Sequence, residues 1–218
     1  MSILEGPRAE AASGEKDSLV IMLHGYGADG NDLFGLAQAL SPHLPNTAFR
    51  SPNAPEPCAV NLGGYQWFPI SWLDGSPESE MKAGAERAAK TLHAYLDEAL
   101  EEEGLAHDRV AIIGFSQGTM MSLNVVLRRP EPVAALVGFS GRLVEIDGTG
   151  PITAKPPVLL VHGDQDEMVP VESVHEARAA LAEEGVNVNW HVSQGVGHGI
   201  APDGLSLALE FIKRGFGA

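Results

Sequence analysis

The chain of 218 residues is 44% hydrophobic and 20% charged, proportions that are typical of a globular domain and not of a disordered one. Its net charge of −15 repels phosphate groups, so we expect no nucleic-acid partner and no stable membrane association. The only cysteine, Cys58, cannot form an internal disulfide and fits a reducing compartment, which predicts a cytoplasmic protein.

Residues 1–17 are small and polar, and we expect a flexible or edge segment there, followed by a single domain over residues 18–218. Within that domain, the short apolar runs are continuous and do not alternate with polar residues. Continuous apolarity is typical of parallel strands that are covered on both faces. The six predicted strands are Leu19–Leu23, Thr47–Phe49, Val110–Ile113, Val133–Phe139, Val158–Val161 and Val188–Val192.

Apolar residues at helical spacing lie between these runs, and glycine follows two of the segments where a helix would end. Strands that alternate with helices predict an α/β fold with a mostly parallel sheet and helices on both faces. These elements take up almost the whole domain, so no large cap domain is expected. The predicted helices are Pro77–Glu103, Thr119–Leu127, Val171–Glu184 and Asp203–Arg214.

The segment 52–76 fits neither period and is rich in proline and aromatic residues. A loop of this length in a compact domain is usually functional or mobile. Two interpretations stay open: the loop packs on the core, or it forms a wall of an acyl pocket. On the second interpretation, substrate would contact Tyr65, Trp67 and Phe68, together with Met168 from a later loop.

The most specific motif is Gly114-Phe115-Ser116-Gln117-Gly118, which follows one predicted strand and opens a predicted helix. In this context G-x-S-x-G is typical of a nucleophile elbow, where the serine lies on a strained turn. Glycine two residues to either side removes Cβ atoms that would clash between strand and helix. Ser116 is therefore the candidate nucleophile.

A serine hydroxyl needs an imidazole to accept its proton and a carboxylate to orient that imidazole. His198 lies in a glycine-rich loop past the last strand, and Asp164 and Asp166 follow the preceding strand. Asp166 lies further into its loop and is better placed than Asp164 to reach the histidine. The order serine, aspartate, histidine is that of the α/β-hydrolases.

Two backbone N–H groups would hold the negatively charged oxygen that forms when serine attacks an ester. One belongs to Gln117, the residue after the nucleophile, at a helix start whose dipole favours negative charge. The other is expected in the loop after the first strand, where Tyr26 is the best candidate.

Two rival interpretations are weaker. Residues 25–30 match the dinucleotide fingerprint G-x-G-x-x-G, but the second strand ends in Arg50 and not in the expected acidic residue, although an arginine could accept a 2′-phosphate. His24 and His162 also lie at strand ends, but neither has the spacing of metal ligands, so no metal is expected.

Together these motifs resemble those of the phospholipase/carboxylesterase family of small α/β-hydrolases, which includes the acyl-protein thioesterases. The resemblance implies an α/β-hydrolase fold, no cofactor and a homodimer. It also implies the triad Ser116, Asp166 and His198, with Tyr26 and Gln117 as oxyanion donors. The matching segments are Leu23-His24-Gly25-Tyr26-Gly27-Ala28-Asp29-Gly30, Gly114-Phe115-Ser116-Gln117-Gly118, His162-Gly163 with Asp166 and Val169-Pro170, and Gly197-His198.

The chain departs from that family at Pro69, where members often have an aspartate. Its glycine-rich loop around Tyr26 resembles that of bacterial carboxylesterases more than that of eukaryotic depalmitoylases. The predicted function is hydrolysis of small-molecule carboxylic esters with short-to-medium acyl chains, through an acyl-enzyme. Alternatives are thioesterase or lysophospholipase activity on the same triad, a ligand-binding protein without catalysis, and the dinucleotide-dependent oxidoreductase.

Overall fold

The computed structural model describes residues 3–217 and has a seven-stranded sheet at its centre. The strand order is β1-β3-β2-β6-β7-β8-β9, and every neighbouring pair is parallel except β1 with β3. A separate antiparallel hairpin pairs β4 with β5. The strands are β1 Arg8–Ala9, β2 Ser18–Leu23, β3 Thr47–Arg50, β4 Glu56–Pro57, β5 Tyr65–Gln66, β6 Val110–Phe115, β7 Ala135–Phe139, β8 Val158–Gly163 and β9 Val188–Ser193.

Helices cover both faces of the sheet because the central strands are apolar on both sides, and each face carries its own hydrophobic cluster. Helices α3, α4 and α5 pack in one cluster, whereas α1 and α6 pack in the other. The helices are α1 Gly30–Leu40, α2 Ser71–Asp74, α3 Glu78–Glu103, α4 Gln117–Val125, α5 Glu172–Glu183 and α6 Pro202–Phe216. Within residues 3–217, no helix has the length and apolarity needed to cross a membrane.

All six predicted strands are present within two residues of their expected bounds, and the predicted helices are present as well. The predicted fold class, a mostly parallel sheet with helices on both faces, is confirmed. Helix α1 was not predicted; Asp29 caps it by accepting a hydrogen bond from the N–H of Asn31 at 2.8 Å. Strand β1, the β4–β5 hairpin and the single turn α2 were not predicted either.

One expectation about the strands was wrong. Val188–Val192 was expected to be covered on both faces, but β9 is the last strand of the sheet and is only partly buried. Its Trp190 is 44% exposed, and Arg178 lies over the indole ring with its guanidinium carbon 5.7 Å from the ring centroid. Within residues 3–217, no further strand pairs with the outer edge of β9, so this strand is more exposed to solvent than the central strands. The Arg178 side chain, which lies over the indole, covers part of the apolar surface of Trp190.

Candidate active site

Ser116 lies between β6 and α4 with φ of 52° and ψ of −113°, a conformation that residues with a Cβ rarely adopt. Both flanking glycines are required by close backbone contacts. A Cβ on Gly118 would lie 1.9 Å from the carbonyl oxygen of Leu23, and a Cβ on Gly114 would lie 2.6 Å from the Thr119 nitrogen. The motif therefore folds as the sequence predicted and raises Ser116 above the carboxyl end of the sheet.

Asp166 and His198 are joined by a hydrogen bond, in which Nδ1 of the imidazole lies 2.8 Å from Oδ2 of the carboxylate. The other carboxylate oxygen accepts hydrogen bonds from the N–H groups of Met168 and Val169, each at 2.9 Å. Burial alone would raise the pKa of Asp166, but the Val169 N–H, the His198 ring and the Met168 N–H together hold that pKa below its ordinary value. Asp166 is therefore an ionised acceptor that orients the imidazole.

Asp164, the alternative carboxylate, has a different partner. Its Oδ1 accepts hydrogen bonds from the N–H groups of Gly195 and Val196, at 2.6 Å and 3.3 Å. These two residues lie in the loop that carries His198. Asp164 thus fixes the shape of the histidine loop, and the choice of Asp166 as the partner of His198 agrees with the geometry.

The two other histidines at strand ends use their ring nitrogens within the protein. His24 lies with Nδ1 2.8 Å from the Gly25 carbonyl oxygen, and its Nε2 accepts the Ala54 N–H at 2.9 Å. Burial lowers the pKa of His24, which keeps the ring neutral. His162 Nε2 lies 2.9 Å from the Val169 carbonyl oxygen. Both rings hold loops in place, and no cluster of three or more candidate metal ligands exists among residues 3–217.

Ser116 and His198 line the same cavity of about 170 Å³. Its walls are mostly apolar, and Phe115 packs against the imidazole with 4.9 Å between ring centroids. Because Nδ1 faces Asp166, Nε2 is the ring nitrogen available to the serine. No direct hydrogen bond joins the two side chains in the described part of the chain, and such bonds are often long before substrate binds. Other lining residues are Tyr26, Ile70, Trp72, Leu73, Met120 and Met168.

Both predicted oxyanion donors lie at this cavity or beside it. Gln117 is the first residue of α4, where N–H groups have no partner within the helix. In the loop after β2, the N–H groups of Gly27 and Ala28 donate to the carbonyl oxygens of Tyr65 and Gly25. The N–H of Tyr26 precedes these two paired groups, and the residue lines the cavity.

The predicted substrate wall needs correction. Of its four residues only Met168 lines the cavity, whereas Tyr65, Trp67 and Phe68 do not. Trp67 is fully buried, and its indole N–H donates to the His24 carbonyl oxygen at 3.0 Å. The polar indole N–H finds its partner inside the fold, so this aromatic group packs below the site. Its place on the cavity wall is taken by Ile70, Trp72 and Leu73.

The buried side chain of Gln117 connects this segment to the nucleophile helix. Its amide oxygen accepts the Trp67 N–H at 2.9 Å, and its amide nitrogen donates to the Phe68 carbonyl oxygen at 2.8 Å. The same residue therefore offers a backbone N–H to the site and clamps the loop with its side chain. Sequence reasoning found the first role through the motif but had no signal for the second.

The family model of phospholipase/carboxylesterase matches residues 4–215 of the chain. The chain belongs to the phospholipase/carboxylesterase family. It is 28% identical to acyl-protein thioesterase 1 of Gibberella zeae, over 95% of this chain and 94% of that protein. It is 32% identical to carboxylesterase SOBER1 of Arabidopsis thaliana, over 90% of each chain. The crystal structure of esterase PE8 superposes with a TM-score of 0.89 at 43% identity, over 97% of this chain and 98% of that one.

These comparisons confirm the resemblance, the α/β-hydrolase fold and the assignment as a serine ester hydrolase of the carboxylesterase type. The alternative of a dinucleotide-dependent oxidoreductase relied on Arg50 to bind the 2′-phosphate. The buried Arg50 instead pairs with Glu102, at 2.8 Å, and with Glu103. An arginine held by two carboxylates is not free to accept a 2′-phosphate.

A carboxylate shortly after Pro69 fixes the turn α2. Asp74, at the end of α2, accepts the Tyr26 hydroxyl at 2.9 Å and the Ile70 N–H at 2.9 Å through Oδ2. Its Oδ1 accepts the Ser76 N–H at 2.9 Å. Burial opposes ionisation of Asp74, yet these donors hold its pKa below the ordinary value. The carboxylate thus anchors the α2 turn to the loop after β2 that contains Tyr26.

Proposed function

We propose that Ser116, His198 and Asp166 form a catalytic triad that hydrolyses carboxylic esters of short-to-medium acyl chains through an acyl-enzyme. The main support is the 2.8 Å hydrogen bond between Asp166 and His198, beside a cavity that Ser116 lines. The nucleophile, the orienting carboxylate and the base follow strands β6, β8 and β9, at the carboxyl edge of the sheet where α/β proteins bind their ligands.

In the first half of the reaction, His198 Nε2 accepts the Ser116 hydroxyl proton while Oγ attacks the ester carbonyl carbon. The carbonyl oxygen becomes negative and accepts hydrogen bonds from the backbone N–H groups of Tyr26 and Gln117. The carbon–oxygen bond to the alcohol then breaks, the imidazolium returns its proton to the alcohol, and the acyl group stays on Oγ.

Water completes the cycle by the same route. His198 takes a proton from water, the hydroxide attacks the acyl carbon, and the carboxylic acid leaves as Ser116 regains its proton. Through both halves Asp166 stays ionised, because its backbone donors favour the charged form. An ionised carboxylate at Nδ1 fixes the tautomer that leaves Nε2 free to accept a proton, and it stabilises the imidazolium.

The preference for short-to-medium chains is supported by the size and lining of the cavity. Its volume of about 170 Å³ is below the roughly 300–1,000 Å³ of sites that hold drug-sized ligands. Ile70, Leu73 and Met120 offer hydrocarbon surface to a hydrocarbon chain. Thioesters are the second candidate substrate class, supported by relatives named acyl-protein thioesterase 1 from Gibberella zeae and Saccharomyces cerevisiae.

The experiment that tests the proposal is covalent labelling by a fluorophosphonate, read by mass spectrometry of the labelled peptide. We expect one modification, on Ser116, and none in Ser116→Ala. The purified protein is then assayed against matched p-nitrophenyl esters, acyl thioesters and lysophospholipids. Labelling elsewhere, or no turnover of any of the three classes, would favour the ligand-binding alternative without catalysis.

We also propose that the protein acts in the cytoplasm as a homodimer. The support for the location is the unpaired Cys58, which a reducing compartment preserves. The support for the homodimer is the family resemblance alone. Light scattering of the purified protein after size-exclusion chromatography measures the mass directly, and a monomer over micromolar concentrations would contradict the dimer.

A further inference from the structure

A second depression lies beside the catalytic cavity. It is an open groove of about 420 Å³ between the chain after β7 and helix α5. Its lining combines apolar and polar residues: Leu143, Val144, Ala177 and Ala180 on the one hand, and Arg142, Glu145, Ser173 and Glu176 on the other. The groove holds no residue of the triad, and the ester chemistry described above does not use it.

The two depressions meet at one pair of side chains. Trp72 lines the catalytic cavity, whereas Arg142 lines the groove. The guanidinium carbon of Arg142 lies 4.9 Å from the centroid of the Trp72 indole ring, a cation–π contact. Trp72 is nevertheless 60% exposed, so burial in the core does not explain where its ring lies. The stacked pair thus joins a lining residue of the catalytic cavity to a lining residue of the groove.

The backbone that carries each partner of this stack is held by contacts with the rest of the site. Trp72 lies in α2, which Asp74 anchors through the Tyr26 hydroxyl and the Ile70 N–H. Arg142 follows Gly141, where a Cβ would lie 2.9 Å from the carbonyl oxygen of Ser116 and 2.4 Å from Thr119 Cβ. The backbone before Arg142 is therefore packed directly against the nucleophile elbow.

We propose that the Trp72 indole, held in place by Arg142, is the partition that ends the catalytic cavity and limits the length of the ester's hydrocarbon chain. A chain that grows beyond the cavity meets the flat indole ring, and the arginine stacked on that ring lines the groove, to which Leu143 and Val144 contribute apolar surface. Removal of the indole joins the two spaces and gives longer chains apolar surface to bury. This inference rests on the proposed ester hydrolysis and assigns to Trp72 and Arg142 the control of its chain-length preference.

The test compares kcat/KM for p-nitrophenyl esters from acetyl to palmitoyl, and for acetate esters of alcohols of matched lengths. For Trp72→Ala we expect the ratio of kcat/KM for the decanoyl ester to that for the butyryl ester, or the corresponding ratio for the alcohols, to rise by at least about ten-fold, which is the gain when a single methylene finds apolar room. Arg142→Gln should shift the same ratio in the same direction by less, because the ring stays but loses its support. Trp72→Phe should keep most of the partition.

Trp190→Ala is the matched control. Trp190 is another exposed tryptophan under an arginine, but it lies on the outer strand β9 and does not line the catalytic cavity. Its chain-length profile should equal that of the wild type. Wild-type activity with unchanged ratios in Trp72→Ala, for both ester series, would overturn the partition. Absence of wild-type activity towards every ester would instead refute the proposed function.

Discussion

The two walls of the catalytic cavity are held by different kinds of contact. On one wall, the loops after β8 and β9 are fixed by backbone N–H groups that donate to Asp164 and Asp166 within or between those loops. On the other wall, the segment 52–76 is held by two residues from distant elements, Gln117 through its side chain and His24 through its ring and its carbonyl oxygen. The first wall carries the carboxylate and the imidazole of the triad, and the second shapes the space for substrate. Ser116 lines the same cavity from the turn between β6 and α4.

This difference has a consequence for how each wall tolerates change. A carboxylate that accepts hydrogen bonds from neighbouring N–H groups acts locally. Its loss is expected to disturb one loop and the catalytic residue on that loop. A side chain that clamps a distant segment acts on packing, so its loss is expected to lower the stability of the fold. Substitutions whose effects on kcat and on the free energy of unfolding are measured separately therefore test this difference between the walls.

The largest effect is expected at Ser116, the nucleophile on which the imidazole of the first wall acts. Ser116→Ala removes the nucleophile and should lower kcat by about a million-fold, as in serine proteases whose triad acts as a unit. The fold should persist, because alanine keeps the Cβ that the elbow already accommodates. Kinetics with a p-nitrophenyl ester and unfolding in urea check both parts. Turnover within ten-fold of the wild type would remove Ser116 from the mechanism.

Next in size is the contrast between the two carboxylates of the first wall. Asp166→Asn should lower kcat by about ten-thousand-fold, since an amide at Nδ1 favours the wrong imidazole tautomer. Asp164→Asn is the matched control: its amide oxygen still accepts from Gly195 and Val196, so the histidine loop should keep its shape. Its kcat should fall far less. Equal losses in the two variants would mean that loop shape, and not the tautomer of His198, explains the effect.

The first wall and the nucleophile elbow could be predicted from the sequence because their signals are local. The elbow needs glycine at two fixed offsets from Ser116, and the acid and base follow strands whose continuous apolarity is easily recognised. The order of these residues along the chain then limits the fold to one class. The three residues were predicted to lie close together because parallel strands place their carboxyl ends at one edge of the sheet.

The second wall could not be predicted in the same way. Trp67 and Trp72 are both aromatic residues in one irregular segment, and no pattern in the sequence says which of them is buried. The choice is made by tertiary partners: the His24 carbonyl oxygen for the first and Arg142 for the second. Helix α1 was missed for a related reason, because the fingerprint-like glycines before it favoured a loop interpretation.

The second wall is tested by removing its clamp. Gln117→Leu keeps the backbone N–H but leaves the buried Trp67 N–H and Phe68 carbonyl oxygen without partners, at about 1–3 kcal/mol for each group. Thermal unfolding should shift down by several degrees, at about 2–4 °C per kcal/mol for a chain of this size. Gln38→Leu, on the exposed face of α1, is the control and should leave the midpoint unchanged. An unshifted midpoint for Gln117→Leu would show that the clamp contributes nothing to stability.

The smallest expected effect is a change of the stability of the fold with pH, caused by Asp166 on the first wall. Donors from Val169, His198 and Met168 hold the pKa of Asp166 below its ordinary value of 3.8, so its ionised form stabilises the fold above that value. This contribution should be lost as the pH falls through the lower pKa of the folded state. The free energy of unfolding of wild type minus that of Asp166→Asn, from urea titrations, should therefore be constant above about pH 5 and shrink towards about pH 3. Ser116→Ala is the control, since its difference from wild type involves no titrating carboxylate and should stay flat over the same range. A difference for Asp166→Asn that grows with acid would mean that burial, which opposes the charge, outweighs the three donors.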